Sequence, residues 1–473
     1  MSPQKTSPKQ KQTVTQQRAL QLETLDERLA KGKSLRDILP RKEQSAWQAS
    51  AKRRDPIAIL ESGSRGRIEE LIPVRYGRML KSPFAFFRGS AAIMAADLST
   101  TAVTGIRVQA CGDCHLMNFG AYATPERNLI VDINDFDETL PAAWEWDVKR
   151  LATSFVLACR ENGFKPAVAA GAAEVLGCSY REAMHEFAEM RVLDVWYSKM
   201  DLASFVKGVS EEELRKDVLN YIAKQKQKSI LEYMVPKLTV AENGRRRFKD
   251  VPPYFYHSED QRGKNFMDIA QRTFMDYKTS LSPDRQVLLD RYQLSDVAMK
   301  VVGIGSVGTY CAVLLLYGSP DDPLILQAKE ARPSVLEEHA GKSKCSNHGQ
   351  RIVLGQRLMQ SHSDIFLGWA TGAGHLKRHF YFRQLKDQKM SLMPETWTPS
   401  RASEVADVLG WVLARAHARS GDPTMIAGYL GTKDVFDQAL AKFAVGYADQ
   451  VERDHQLLVS AVKSGRLDAF VER

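Results

Sequence analysis

Asp113 stands five positions before Asn118, and an acidic pair, Asp135 and Asp137, follows the next apolar run. These are side chains that phosphoryl transfer can use. A carboxylate within reach of a substrate hydroxyl takes its proton or orients it, so Asp113 is the expected base. An Asn carbonyl oxygen and a carboxylate are the hard oxygen ligands that Mg²⁺ accepts beside waters and phosphates. Asn118 and Asp135 are therefore the expected metal ligands, with Asp135 bridging metal to phosphates and Asp137 as a further ligand. Taken singly, each part reads equally well as a polar turn whose Asp and Asn cap the backbone. Together they point to a site.

A nucleotide needs a cradle, and Gly303-x-Gly305-Ser306-x-Gly308 provides one. The glycine spacing also matches the dinucleotide fingerprint, which requires a helix directly after the last glycine. The run 309–317 is Thr-Tyr-Cys-Ala-Val-Leu-Leu-Leu-Tyr and reads as a strand. Strand, glycine loop, strand is the kinase arrangement, a hairpin folded over the phosphates. Gly303, Gly305, Ser306 and Gly308 are the expected ATP contacts. Lys329 closes the apolar run 324–329, and a lysine there needs a partner for its charge. Phosphates supply one. For a second partner the sequence offers Glu330, Glu337, Glu338, Asp364, Gln350 or Gln356 without choosing. The cradle follows the Asp113 loop, whereas kinases present these parts in the opposite order, so a circular permutation is expected.

Composition narrows the alternatives. The 473 residues with 44% hydrophobic content suffice for one large bilobal domain or a few smaller ones. Lys and Arg number 66 against 57 Asp and Glu, a balance of +9. That admits an anionic ligand such as a nucleotide without demanding nucleic acid. The six cysteines lie mostly in apolar runs, which suits reduced thiols in a cytoplasmic protein. Cys111-Gly-Asp-Cys114-His115 matches a haem-attachment pattern, but it occurs once and no export signal precedes it. Zinc would need two further ligands, so buried thiols or a redox pair are the better reading. No apolar run approaches the roughly 18 residues of a membrane span. Residues 1–22 read as a disordered basic tail. The run Arg245-Arg-Arg-Phe-Lys249 reads as a solvated strand edge.

Elements must hold these groups. Apolar spacing predicts helices over 20–49 with a break at Pro40, over 57–71, 144–161 and 401–419, and a largely helical stretch over 167–231. Strands are expected at 108–111, 129–133, 299–302, 310–317, 324–329 and 380–385, with a hairpin over 238–248 turning at Asn243-Gly244. A helix is expected over 349–362. The division expected is a tail to 22, a helical region with the Asp113 loop over 23–294, a β-rich nucleotide lobe over 295–390, and a helical remainder over 391–473.

The stretches Arg75-Tyr-Gly-Arg-Met, Ser82-Pro-Phe-Ala-Phe-Phe-Arg-Gly89, Cys111-Gly-Asp-Cys-His-Leu-Met-Asn-Phe-Gly120, Asp132-Ile-Asn-Asp-Phe-Asp-Glu-Thr139 and Leu413-Ala-Arg-Ala-His-Ala-Arg-Ser-Gly421 resemble the bacterial domain-of-unknown-function family 2252. That family is placed among kinase-like proteins, near the aminoglycoside and choline phosphotransferases. The resemblance implies an α+β, bilobal, protein-kinase-like fold, circularly permuted, with a predominantly helical large lobe and a small β-rich nucleotide lobe. Relatives carry His-Gly-Asp-x-His-x-x-Asn, and this chain has Cys111 where their first His stands. By the same analogy Asp147 braces the Asp113 loop through backbone N–H groups, and the helix of Leu413–His417 belongs before that loop. The expected activity is ATP·Mg²⁺-dependent transfer to a small-molecule hydroxyl or amine, with no membrane partner. The alternatives are AMP transfer from the same site, a nucleotide-binding regulator without turnover, and a nucleic-acid binder using residues 245–249 and the tail. Arg75, Arg78 and Arg88 are expected either in the acceptor pocket or ion-paired in the core.

Overall fold

The computed structural model describes residues 23–471, apart from 203–205, 207–211, 213–214, 217–218, 221–234, 243–244, 258–265, 302, 375–376 and 386–389. The expected tail 1–22, the hairpin turn at 243–244 and much of the stretch 203–231 lie outside the described residues.

Residues 107–143 form two consecutive antiparallel ladders. Strand Arg107–Ala110 pairs with Leu140–Ala143, and Phe119–Ala123 pairs with Leu129–Ile133. The segments between the ladders, 111–118 and 134–139, must therefore face each other. Asn134 N–H donates to the Asn118 carbonyl at 2.8 Å, which fixes the second ladder where these segments meet. The pairing alone makes the Asp113 loop a neighbour of Asp135 and Asp137.

The chain then enters the helix Trp144–Glu161, which is buried along nearly its whole length. A helix buried on every side sits at the centre of a bundle. Helices Pro166–Glu189, Pro399–Ala418 and Val435–Lys463 surround it. Trp144 stacks on Tyr180 with ring centroids 5.6 Å apart and planes at 7°. The helix stops at Asn162-Gly163. Gly163 takes φ +71°, and Phe164 N–H returns to the Cys159 carbonyl at 3.0 Å, a left-handed glycine stop.

The second body is an antiparallel sheet of six strands. Its order is Gly368–Thr371, His379–Gln384, Asp322–Ala331, Cys311–Ser319, Gln293–Lys300, Phe255–Tyr256. Side chains alternate across it. One face carries Leu314, Leu316, Leu326, Phe380 and Phe382, covered by the helix Phe266–Thr279. The other carries Val313, Leu315 and Ile325 and then turns polar at Gln327 and Lys329, which pair with Arg383 and Tyr381 across the ladder. Helix His348–Met359 lies between the sheet and the first body. It docks through Gly349, whose Cβ position is 2.1 Å from the Phe380 carbonyl.

Helix makes up 53% of the described residues and strand 17%, with several antiparallel sheets, so the α+β class holds. The boundary expected at 295 is displaced. Helices Phe266–Thr279 and Pro283–Leu289 belong to the core of the six-stranded sheet, because their apolar faces cover its outer side. The helix expected over 57–71 ends at Ser64, and the 3₁₀ turn Glu69–Leu71 leads into a second helix, Ile72–Met79. Pro73 sits in the first turn of the second helix, where its missing N–H costs nothing. Among the described residues, no helix is long and apolar enough to cross a membrane.

The docking of His348–Met359 yields a first prediction. Gly349→Ala places a methyl against a backbone carbonyl that cannot move without opening the sheet. Stability falls by about 3 kcal/mol or more, measured by chemical denaturation, against under about 1 kcal/mol for Ala at the unhindered Gly171.

Candidate active site

The Asp113 loop is held from below by one carboxylate. Asp147, on the first turn of the helix Trp144–Glu161, accepts the N–H of Gly112 at 3.0 Å and that of Cys111 at 2.5 Å. His417 Nε2 lies 3.3 Å from Asp147, and Tyr180 O–H meets His417 Nδ1 at 2.8 Å. The bracing role implied for Asp147 is thus the observed contact. Ser154 accepts the N–H of Leu116 at 3.0 Å two turns further along. Gly112 has φ +84°, and a Cβ there would lie 2.4 Å from the Glu138 carbonyl. Only glycine lets the two facing segments approach so closely. Cys111 stands at the first position of the motif with its thiol donating to the Asp135 carbonyl at 3.3 Å. Cys111 and Cys114 are both buried free thiols, and burial pushes the Cys114 thiol well above its ordinary value.

Asp113 faces a cavity of about 410 Å³ that Asn118, Asp135, Asp137, Gly303, Gly305, Ser306 and Lys329 also line. Its Oδ1 accepts from Arg150 Nε at 2.8 Å and from Arg150 Nη2. Arg150 in turn donates to the Phe87 carbonyl at 2.9 Å and lies over the Phe87 ring. Burial raises the Asp113 carboxyl above its ordinary value even against this cation. Asn118 Nδ2 donates to the Asp113 carbonyl at 2.6 Å, which leaves its Oδ1 as the acceptor.

Lys329 closes the opposite wall. Its Nζ sits 2.8 Å from Asp137 Oδ2 and 4.0 Å from Asp135 Oδ1, and only 4% of its side chain is exposed. Asp137 also accepts from Ser306 Oγ at 2.9 Å and from Tyr381 O–H at 2.7 Å. Burial opposes ionisation of Asp137, but Lys329 and these donors outweigh it and hold the carboxyl at about 2. Both Asp137 oxygens are engaged, so this residue anchors the lysine and the glycine loop. Three of the acids and amides near Lys329 in sequence are engaged elsewhere. Glu330 pairs with Arg378, Glu338 with Arg54, and Gln356 with Gln360.

The helix His348–Met359 contributes a cation. Arg351 donates to the carbonyls of Thr139 at 2.6 Å, Asp137 at 2.8 Å and Arg332 at 2.8 Å. It therefore ties the Asp137 segment to the end of the lysine strand. Below it, Asp132 and Arg415 form an ion pair with both side chains 1% exposed. Glu138 completes the cavity, accepting the Val335 N–H at 2.7 Å. Burial pushes its carboxyl up to about 7.

The structure thus brings Asp113, Asn118, Asp135, Asp137, Gly303, Gly305, Ser306 and Lys329 to one cavity. Gly308 stands just outside it, at φ +82°, with its carbonyl on the Ile68 N–H at 2.7 Å. Sequence reasoning missed Arg150, Tyr381 and Arg351. Arg150 lies one helical turn beyond Asp147, a spacing that puts both on the loop side of the helix. Tyr381 had no local signal, because its partnership with Lys329 is a strand register. Among the described residues, no group of three or more His, Cys, Asp and Glu is arranged to hold a metal ion. The basic run is neutralised in part, since Arg247 pairs with Glu242 and Asp250.

Two outcomes follow. Asp147→Asn puts an amide N–H against one of two backbone N–H donors. It destabilises the protein by about 2–3 kcal/mol in chemical denaturation, while Asp449→Asn on the surface changes it by under about 1 kcal/mol. Glu138 binds its proton more tightly folded than unfolded. Its burial therefore costs nothing below 4.5, costs progressively more as pH rises to about 7, and is constant above. Glu138→Gln accordingly leaves the melting temperature unchanged at pH 4 and raises it at pH 8, by up to roughly 3 kcal/mol of stability.

Comparison with known proteins gives one finding. The sequence model of the bacterial family described as "Uncharacterized protein conserved in bacteria (DUF2252)" matches residues 67–461. No curated protein and no solved structure gives a match. The match spans the Asp113 loop, the glycine loop, Lys329 and the surrounding helices, and the chain belongs to this family.

Proposed function

We propose that this protein is an ATP·Mg²⁺-dependent phosphotransferase of circularly permuted kinase-like fold, acting on a small-molecule acceptor. The observation that carries the reading is the convergence of Asp113, Asn118, Asp135, the glycine loop and Lys329, up to 216 residues apart in sequence, on one cavity. The order of parts supports it. Lys329 lies on the third strand counted from the glycine hairpin, followed by the helix His348–Met359, two further strands and the helical body. A kinase nucleotide lobe has its lysine on that strand and a helix next. The ion pair a kinase makes with a helix Glu is replaced here by Asp137.

A second cavity of about 550 Å³ adjoins the first, sharing Gly303, Gln327 and Arg383. It is lined by Val301, Gln384 and Leu385, where the last sheet strand leaves for the helical body. This is the place for the nucleoside, with the triphosphate passing Gln327 toward Lys329. Asn118 Oδ1 and Asp135 fit Mg²⁺, which takes one or two protein oxygens and completes its shell with waters and phosphates. Bound there, the ion neutralises developing charge on the phosphates. Asp113, held by Arg150 and raised by burial, receives the acceptor hydroxyl proton as its oxygen bonds to the γ-phosphorus. The bond from that phosphorus to the β-bridging oxygen breaks, and its electron pair leaves with ADP.

The test is ATP·Mg²⁺ binding by calorimetry on the wild type, Lys329→Ala and Asp135→Ala. Wild type binds, and affinity falls at least tenfold in Lys329→Ala. In Asp135→Ala the Mg²⁺ dependence is lost. Asp113→Asn retains binding within threefold and loses turnover, read as ADP release. A folded wild type that binds no nucleotide sinks the reading, and release of pyrophosphate in place of ADP would make the site an AMP transferase.

A further inference from the structure

The 410 Å³ cavity holds cations beyond Lys329. Arg67, Arg75, Arg88 and Arg332 line it together with Asp113. Among the described residues, none of the four has a carboxylate within ion-pair distance. Their partners are neutral. Arg67 donates to the Gly63 carbonyl at 3.0 Å and to that of Val307, and Arg332 to the carbonyls of Gly63 at 3.2 Å and Arg65 at 2.7 Å. Arg75, 4% exposed, donates to Ser64 Oγ at 3.2 Å and the Gly89 carbonyl at 2.9 Å. Among the described residues Arg88 donates to no group, and it rests against the Phe84 ring at 6.0 Å. The buried Nε atoms of Arg75 and Arg88, and Nδ1 of His115 on the same cavity, have no hydrogen-bond partner.

Buried cations without counter-ions are costly. Burial and mutual repulsion lower Arg67 to about 9, and burial lowers Arg75 and Arg88 as well. The carboxylates on the same cavity do not answer this charge. Asp113 is taken by Arg150 and Asp137 by Lys329, Asp135 lies 4.0 Å from Lys329, and Glu138 is held toward its neutral form. An anion bound at this corner would supply the counter-charge.

Two anions are candidates, the nucleotide's own phosphates and the acceptor. Arg67 borders the glycine loop through the Val307 carbonyl and Arg332 directly follows the lysine strand, whereas Arg88 borders Asp113. Arg67, Arg75 and Arg88 come from the segment 67–88, which belongs to neither the sheet nor the loop of Asp135. Arg88 is the cation after Arg150 whose field most favours ionised Asp113. None of the four lines the neighbouring nucleoside-sized cavity. We infer, resting on the phosphotransferase reading, that the acceptor is itself an anion. It is a small molecule that carries a phosphate or carboxylate, bound by Arg67, Arg75, Arg88 and Arg332, with its hydroxyl presented to Asp113. Planar guanidinium groups bind such oxyanions bidentately. The same charge repels cationic amine acceptors.

Inorganic phosphate is the probe, titrated by calorimetry into the full chain with and without saturating AMP-PNP·Mg²⁺. Phosphate binds in both conditions with affinities within threefold. Arg88→Gln, which breaks no protein hydrogen bond, weakens it at least tenfold while the AMP-PNP affinity moves less than threefold. Arg332→Gln serves the same purpose should Arg88→Gln misfold by circular dichroism. Glycerol 3-phosphate and glycerate, titrated likewise, tell a phosphate from a carboxylate as the preferred anion. Phosphate displaced by AMP-PNP, or an equal loss of both ligands in Arg88→Gln, assigns the arginines to the nucleotide and overturns the inference. Absence of phosphate binding in the wild type overturns it too. Arginine-dependent phosphate binding with no AMP-PNP binding leaves the anion pocket standing and removes the phosphotransferase reading instead.

Discussion

A lysine ammonium buried at the end of an apolar strand cannot stand alone, and the arrangement of this protein turns on how Lys329 is answered. Its counter-charge comes from Asp137, nearly two hundred residues earlier in the chain. Satisfying that one group requires the six-stranded sheet to meet the Asp135–Asp137 segment at hydrogen-bond distance. The same carboxylate then collects Ser306 from the glycine loop and Tyr381 from the next strand. Arg351 binds the carbonyls on both sides of the junction. A buried pair of this kind adds little net stability, but losing either partner strands a charge and costs about 3–5 kcal/mol. The pair is better understood as a registry device between the two bodies.

The acids of the cavity show how environment divides one chemical group into different tasks. Asp137 is held low by a lysine and two hydroxyls. Asp113 is raised by burial although an arginine touches it. Glu138, with a single backbone donor, is pushed up to about 7. Groups whose values are driven apart within one cavity are where acid–base roles are found. The loop that presents Asp113 is itself rigid, because Asp147 takes two consecutive N–H groups and glycine at 112 lets the facing segment close in. Cys111 fits that geometry, since the brace acts on its backbone and the thiol still donates across the gap.

The four arginines have the opposite character. They are placed by carbonyls, a hydroxyl and an aromatic ring, which position a guanidinium without neutralising it. The segment 56–98 that carries three of them forms short helices with buried phenylalanines, Phe84, Phe86 and Phe87, packed on the helical core. It closes the front of the cleft.

Much of the site was legible in sequence because its chemistry is concentrated in short runs. Asp113 to Asn118, Asp135 to Asp137 and Gly303 to Gly308 each place carboxylates, an amide or glycines at short fixed spacing, and local spacing survives folding. Helices such as Trp144–Glu161 and strands such as Asp322–Ala331 declared themselves through apolar periodicity. What the linear order could not supply was partnership. Lys329 had six nearby candidates and chose Asp137, since antiparallel registers brought that carboxylate to it and left the local acids facing other cations. Arg75 and Arg88 read equally well as core ion pairs or pocket residues, and only the packing of the segment 56–98 left them without acids. The helices 266–289 looked like part of the helical body, yet they cover the sheet, because which apolar face meets which is settled by burial over the whole chain. Residue types and short spacings determined the chemistry available; long-range burial and strand register, which sum over distant residues, decided which charges meet and which remain unanswered.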